Sequence, residues 1–178
     1  MYFVDAAHFV RSAFLGFLWS FARVFVRSPS GRDRFNVLGA LHATTHRLVS
    51  VCNVGYINSE SVCELLGKIA ALRTHIPVTL VLDNARYQRC ALVTSTAQSL
   101  GIELLFLPPY SPNLNLIERL WKFVKKKALY SKYYATFGEF KEAISNVLDH
   151  TQSAHQDELR SLLTLKFQTF KKSEFMAV

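Results

Sequence analysis

The chain has 178 residues, with 21 Lys and Arg against 13 Asp and Glu and a formal net charge of +8. Half of the residues are hydrophobic and 13% are aromatic, which supplies a real core and excludes an intrinsically disordered chain. Five Pro and seven Gly exclude a collagenous or low-complexity one, and no repeat at solenoid or propeller spacing is visible. Tyr2-Phe3-Val4 reads as a strand ending in Asp5, and residues 9–27 are ambiguous between strand and helix. Residues 28–31 (Ser-Pro-Ser-Gly) form a turn. Residues 35–41 and 48–54 suit two strands of a hairpin joined by the polar segment 42–47. Asn58-Ser59 caps a helix reaching about Arg73, with Val62, Leu65, Leu66, Ile69 and Leu72 on one face.

Residues 78–82 are a nearly continuous apolar run, as in strands buried on both faces of a sheet. A helix over 88–100 closes at Gly101, and residues 102–107 form another buried strand. Residues 108–112 (Pro-Pro-Tyr-Ser-Pro) are a stiff loop that cannot be helical. From Asn113 the helical period returns, with Ile117, Leu120, Trp121, Val124 and Ala128 as its apolar stripe. Trp121 reads as a core residue. Thr136 to Glu139 is a capping box that opens a helix with Phe140, Ala143, Ile144, Val147 and Leu148 inward. The pattern assigns no element to residues 162–172. The expectation is an α/β fold, a mixed β-sheet flanked by helices, with one domain over 1–150 and a basic C-terminal extension over 151–178 docking on it.

Three Cys (Cys52, Cys63, Cys90) form no C-x-x-C pair, which suits a reducing compartment, and the positive charge suits a polyanionic partner. The apolar stretch from Phe9 to Val26 is broken by Arg11 and Arg23, leaving a clean run of eleven residues. A spanning helix needs roughly 20, and no basic segment precedes the run as in a signal peptide. No membrane partner and a cytoplasmic, nucleoid-associated location are expected.

Three carboxylates stand out. Asp83 ends the buried run 78–82, and ligands of open α/β sheets bind beyond the carboxyl ends of strands. Its plain alternative is an Asx turn. Asp5 follows three apolar residues and precedes Ala6 and Ala7, where an Asp is disfavoured unless it is at an edge or functional. Glu118 falls off the stripe of its helix, and the plain alternative is an i,i+4 pair with Lys122. The Pro-rich loop, however, delivers that helix directly from a buried strand to the sheet end. Carboxylates converging from two strands and one helix repel, and divalent cations relieve the repulsion. An oxygen-only set suits Mg²⁺ or Mn²⁺, and two such ions can serve phosphoryl transfer. His8 reads as structural, Asn84 as support for the turn, and Ser111 has no nucleophile elbow or triad partners. No phosphate-binding glycine loop is present.

These residues resemble a known family. The segment Leu107 to Trp121 (LPPYSPNLNLIERLW) resembles the signature around the third acid of DDE transposases of the mariner superfamily, in its bacterial insertion-sequence branch. Val81 to Ala85 resembles the segment of the second acid, and Phe3-Val4-Asp5 that of the first. Thirty-four residues separate Asp83 from Glu118, the family's usual spacing. Leu116 stands where the family commonly has Pro. The resemblance covers Tyr2 to about Leu148. It implies a ribonuclease-H-like core with Asp5, Asp83 and Glu118 as catalytic and metal-binding residues and a two-ion Mg²⁺ or Mn²⁺ site. It further implies cleavage at transposon ends, transfer of the 3′-hydroxyl into target DNA, and a homodimer in the synaptic complex. Full-length relatives carry an N-terminal helix-turn-helix region that reads the inverted repeats, so a separately encoded partner is expected, as in a split or frameshifted element. Arg119, Lys122, Lys125 and Lys126 are the DNA-contact candidates. Two other readings stay open on the residues: another nuclease on the same fold, and an inactive remnant acting as a DNA-binding or dimerisation module.

Overall fold

The computed structural model describes residues 1–12, 21, 33–72, 76–109 and 111–167. Its strands are β1 (Tyr2–Val10), β2 (Arg34–His42), β3 (Leu48–Asn53), β4 (Val78–Leu82) and β5 (Ile102–Phe106). They form one sheet in the order β3-β2-β1-β4-β5. β2 pairs antiparallel with both β1 and β3, and β4 and β5 continue the sheet parallel to β1. The helices are α1 (Ser59–Ala70), α2 (Ala91–Ser99), α3 (Ile117–Ala128), α4 (Phe137–Asp149) and α5 (Gln156–Leu162). This is the expected mixed sheet with helices on its faces.

Strand alternation divides the core in two. Tyr2, Val4, Leu38, Ala40, Leu80 and Leu82 face α1 and α2. Phe3, Ala7, Phe9, Val37, Leu41 and Val81 face α3, α4 and α5. Asp5 falls by parity in the second row, between Phe3 and Ala7.

Several elements differ from the sequence expectation in extent. β1 runs nine residues rather than three, because every residue of it finds an antiparallel partner on β2, from Tyr2 opposite His42 to Val10 opposite Arg34. Asp5 is therefore a mid-strand residue. The rest of the ambiguous 9–27 segment, the turn at 28–31 and Arg73 lie outside the described residues, apart from Arg11, Ser12 and Phe21. The expected helix over 88–100 is divided into a 3₁₀ turn at Arg86–Gln88 and α2, and Gly101 closes α2 at φ +65°. The expected helix from Asn113 begins as a 3₁₀ turn at Pro112–Leu114 and becomes α-helical only at Ile117.

Both helix caps read from the sequence form. Asn58 accepts from the Ser61 amide, and Thr136 accepts from the Glu139 amide while Glu139 reaches back to the Thr136 N–H. The segment over 162–167, unassigned by pattern, lies on the core. Leu159 and Leu163 are buried with α3 and α4, and Phe167 packs on Phe3 at 5.8 Å between ring centroids. Residues 168–172 lie outside the described residues.

Leu66 of α1 and Ile144 of α4 are both fully buried, in separate clusters on opposite faces of the sheet. Truncation to Ala should cost about 2–5 kcal/mol at either site. With no shared neighbours the two losses should add to within about 0.5 kcal/mol in the double variant. Urea unfolding of the three variants measures this.

Candidate active site

Asp5, Asp83 and Glu118 line one cavity of about 230 Å³, together with Asn84, Leu107, Pro108, Pro109, Ser111 and Asn115. Each acid reaches it from a different element. Asp5 is carried by β1, on the face that α3 covers. Asp83 follows the last residue of β4, with its Oδ1 accepting from the Ala85 amide at 3.2 Å. That is the Asx turn foreseen as the plain alternative, and it coexists with the cavity position. Glu118 lies in the first turn of α3.

The stiff loop is fastened beside Asp83 at its start. The Leu107 amide donates to the Leu82 carbonyl at 2.8 Å, and Asn84 Nδ2 donates to the Leu107 carbonyl. Residue 107 is thus tied to both neighbours of Asp83 before the two prolines fix the path. At the far end, Asn115 Nδ2 donates to the Val4 carbonyl at 3.1 Å, and the Glu118 amide donates to the Asn115 carbonyl at 3.2 Å. One asparagine therefore joins the residue before Asp5 to the turn that carries Glu118. The i,i+4 alternative for Glu118 does not form. The ion pairs among the described residues are Arg11–Asp33, Glu64–Lys68, Lys127–Glu158 and Asp157–Arg160.

Burial dominates the electrostatics of Asp5. The Asp5 carboxyl is raised from 3.8 to about 7, first by burial and then by the negative charges of Glu118 and Asp83. The Tyr87 phenol beside the site is pushed up to about 12, chiefly by burial and then by the charge of Asp83. The Oδ1 atoms of Asn84 and Asn115 are buried without a hydrogen-bond partner, an expensive condition for polar atoms beside a cavity. No three His, Cys, Asp or Glu groups among the described residues stand close enough to enclose an ion by themselves. The donors fit a hard cation whose shell keeps water or phosphate oxygens, as Mg²⁺ commonly does.

A model of the DDE superfamily endonuclease family matches residues 1–141. The chain belongs to this family. Its fold is similar to that of the Mos1 strand transfer complex, with TM-score 0.69 and 18% identity over 91% of this chain and 50% of the other. It is similar to the Mos1 mariner paired end complex with Mn, with TM-score 0.62 and 13% identity over 94% and 56%. The HTLV-2 integrase catalytic core domain in complex with magnesium matches at TM-score 0.57 and 12% identity, over 86% of each chain. At these identities the likeness is one of fold, the ribonuclease-H-like sheet of transposases and integrases. The chain spans about half the length of the Mos1 chains it matches. No curated protein matches it in sequence. No helix among the described residues is long and apolar enough to cross a membrane.

The four basic candidates on this DDE endonuclease's α3 separate into two groups. Lys122 and Lys126 are exposed and Lys125 is half-buried, and none pairs with a described acid. Arg119 is engaged within its own chain. Its guanidinium donates to the carbonyls of Leu162, Thr164 and Lys166 and lies over the Phe167 ring at 5.6 Å. Those interactions turn its guanidinium fork onto the C-terminal segment. Lys127 is likewise held, by Glu158 at 2.7 Å.

Three further residues at the site carry no signal of their role in the sequence pattern. Trp121 is buried as foreseen, but its indole Nε1 also donates to Asp5 Oδ2 at 3.1 Å. Gly39 stands opposite Asp5 across the β1–β2 pair, and Asn115 bridges β1 to α3. Periodicity marks the first as core and is silent on the other two.

The raised Asp5 carboxyl has a pH signature. Its folded value of about 7 exceeds the ordinary 3.8, so the native state holds a proton that the unfolded chain has released. Stability from this group is complete below the unfolded value and is lost as pH rises through the folded one. The thermal midpoint of the metal-free protein should therefore fall from about pH 5 to about pH 8 more steeply than that of Asp5→Asn. Mn²⁺ affinity should rise over the same range as the proton leaves. Calorimetric scans with and without Mn²⁺ measure both slopes.

Proposed function

We propose that the chain is the catalytic domain of a DNA transposase of the bacterial insertion-sequence branch of the mariner superfamily. It cleaves phosphodiester bonds at transposon ends and transfers the freed 3′-hydroxyl into target DNA. The observation that carries this reading is the convergence of Asp5, Asp83 and Glu118 on one cavity at the carboxyl end of β4, in a chain of the DDE endonuclease family. Catalysis is assigned to residues 1–150, with 151–178 as an extension docked on that unit.

Asp5, Asp83 and Glu118 would hold Mg²⁺ or Mn²⁺ in a two-ion site, and the bound metal would supply Lewis-acid activation of a water or terminal hydroxyl and stabilisation of the departing oxygen. The chain's own residues do the rest. Asp83 is oriented by its turn, and the anchored proline loop fixes the distance from Asp83 to Glu118. The neutral amides of Asn84 and Asn115 offer carbonyl oxygens at the cavity wall without adding charge. Lys122, Lys125 and Lys126 run along α3 from the first turn past Glu118 and bind the DNA backbone, which positions the duplex without reading its sequence. In this reading an N-terminal helix-turn-helix region selects the ends, two catalytic domains pair in the synaptic complex, and the protein works at the nucleoid.

Cleavage of a labelled transposon end against a scrambled duplex, in Mg²⁺ and in Mn²⁺, tests the assignment. Asp5→Ala, Asp83→Ala and Glu118→Ala should each reduce cleavage to background. Discrimination between the two duplexes should be poor without the end-reading region and should return when it is supplied. Metal-independent activity surviving all three substitutions would sink the transposase reading. DNA binding that persists with no cleavage in the parent chain would favour the inactive remnant.

Binding titrations over a range of salt test the basic face. The triple change Lys122→Ala, Lys125→Ala and Lys126→Ala should weaken binding to all sequences alike. It should also flatten the slope of log K against log salt by about 0.9 for each phosphate that is no longer neutralised. Arg119→Ala should leave that slope unchanged and instead loosen residues 162–167, measured by proteolysis.

A further inference from the structure

Trp121 contributes more to the site than packing. Its indole is 2% exposed, its ring meets Phe9 edge-on at 6.3 Å, and Nε1–H donates to Asp5 Oδ2 at 3.1 Å. The ring reaches that position only because β2 gives up a side chain. A Cβ at Gly39 would lie 2.7 Å from Trp121 Cη2 and 2.9 Å from Cζ2, distances that real Cβ atoms essentially do not adopt, and a tight 3.0 Å from Ile117 Cδ1. Gly39 is also the register partner of Asp5. The glycine, the acid and the indole therefore form one stack across β2, β1 and α3.

The chemistry of the donor matters. An indole N–H donates one hydrogen bond, carries no charge and accepts nothing. It fixes one carboxylate oxygen without neutralising the group, which a Lys or Arg in its place would do. Once ionised, Asp5 keeps Oδ1 and the second lone pair of Oδ2 for the cavity it lines. Glu118 and Trp121 stand three residues apart on α3, so one helix turn presents to Asp5 both a repelling acid and a holding donor.

We propose that Trp121, seated by Gly39, is a positioning residue that fixes the rotation of the Asp5 carboxylate so that the acid is preset to bind a divalent cation. This rests on the reading of Asp5, Asp83 and Glu118 as a metal site. A partner that orients a metal ligand is typically worth 10–100-fold in metal affinity.

The experiment uses the full chain and Mn²⁺ alone. Calorimetry compares the parent with Asp83→Asn, Trp121→Phe and Gly39→Ala. Trp121→Phe keeps the apolar ring and removes the donor, whereas Gly39→Ala keeps the donor and displaces it. The expected result is loss of Mn²⁺ binding in Asp83→Asn and weakening by roughly 10–100-fold in the other two. Nuclear magnetic resonance gives a second readout, free of activity. In a Trp19→Phe background the one remaining indole proton should shift on Asp5→Asn and on Mg²⁺ addition.

If Asp83→Asn loses Mn²⁺ while folded Trp121→Phe and Gly39→Ala bind it as the parent does, the positioning role is wrong and the metal site stands. If Asp83→Asn still binds Mn²⁺ as the parent does, the metal site fails and the positioning role fails with it. Should Trp121→Phe not fold, Gly39→Ala and the indole resonance decide. A resonance unmoved by Asp5→Asn overturns the proposal.

Discussion

Asp5 occupies a row of β1 whose other members, Phe3, Ala7 and Phe9, are buried against α3 and α4. A carboxylate in that position is costly to keep charged, because burial removes its water and two further acids face the same cavity. The surrounding structure offsets only part of this cost. Trp121 donates one neutral hydrogen bond, the β1 backbone is fixed by Asn115 at Val4, and the remaining strain appears as a carboxyl raised to about 7.

Much of the neighbouring architecture follows from delivering two more carboxylates to that place. β4 runs parallel to β1 and ends at Leu82, so Asp83 emerges beside the middle of β1. Parallel β5 ends one residue before Leu107, whose amide and carbonyl are both bonded next to Asp83. The prolines that follow leave the chain few conformations, so the start of α3 is set by the end of the sheet. α3 then buries Ile117, Leu120, Trp121 and Val124 against the same face. Packing of this helix and placement of Glu118 are one event.

The C-terminal segment adds a second hold on α3. Arg119 gathers the carbonyls of Leu162, Thr164 and Lys166, while Leu159 and Leu163 enter the core and Lys127 meets Glu158. The helix that carries Glu118 is therefore braced by the sheet on its apolar face and by residues 156–167 on its flank. Lys122, Lys125 and Lys126 are the basic groups of α3 left without a hydrogen bond or ion pair among the described residues.

The sequence by itself determined the parts whose signals are local. The buried run before Asp83, the Pro-rich loop, the α3 stripe and both helix caps each lie within a few residues of one another, and their chemistry admits few conformations. The three acids were legible for the same reason, through the motif around Glu118 and its spacing from Asp83. The tertiary structure decided what depends on residues far apart in the chain. β1 is nine residues long because β2 pairs with all of it, and a three-residue apolar run followed by Asp carries no sign of that. Gly39 is needed because an indole more than 80 positions later fills its place, and Trp121 reads as core because periodicity records burial and not hydrogen bonds. The direction of Arg119 is set by carbonyls of a segment with no pattern of its own, which its place beside Glu118 does not show. Local propensity fixes elements, but the partner of a side chain is fixed only when the sheet and its covering helices bring distant residues together.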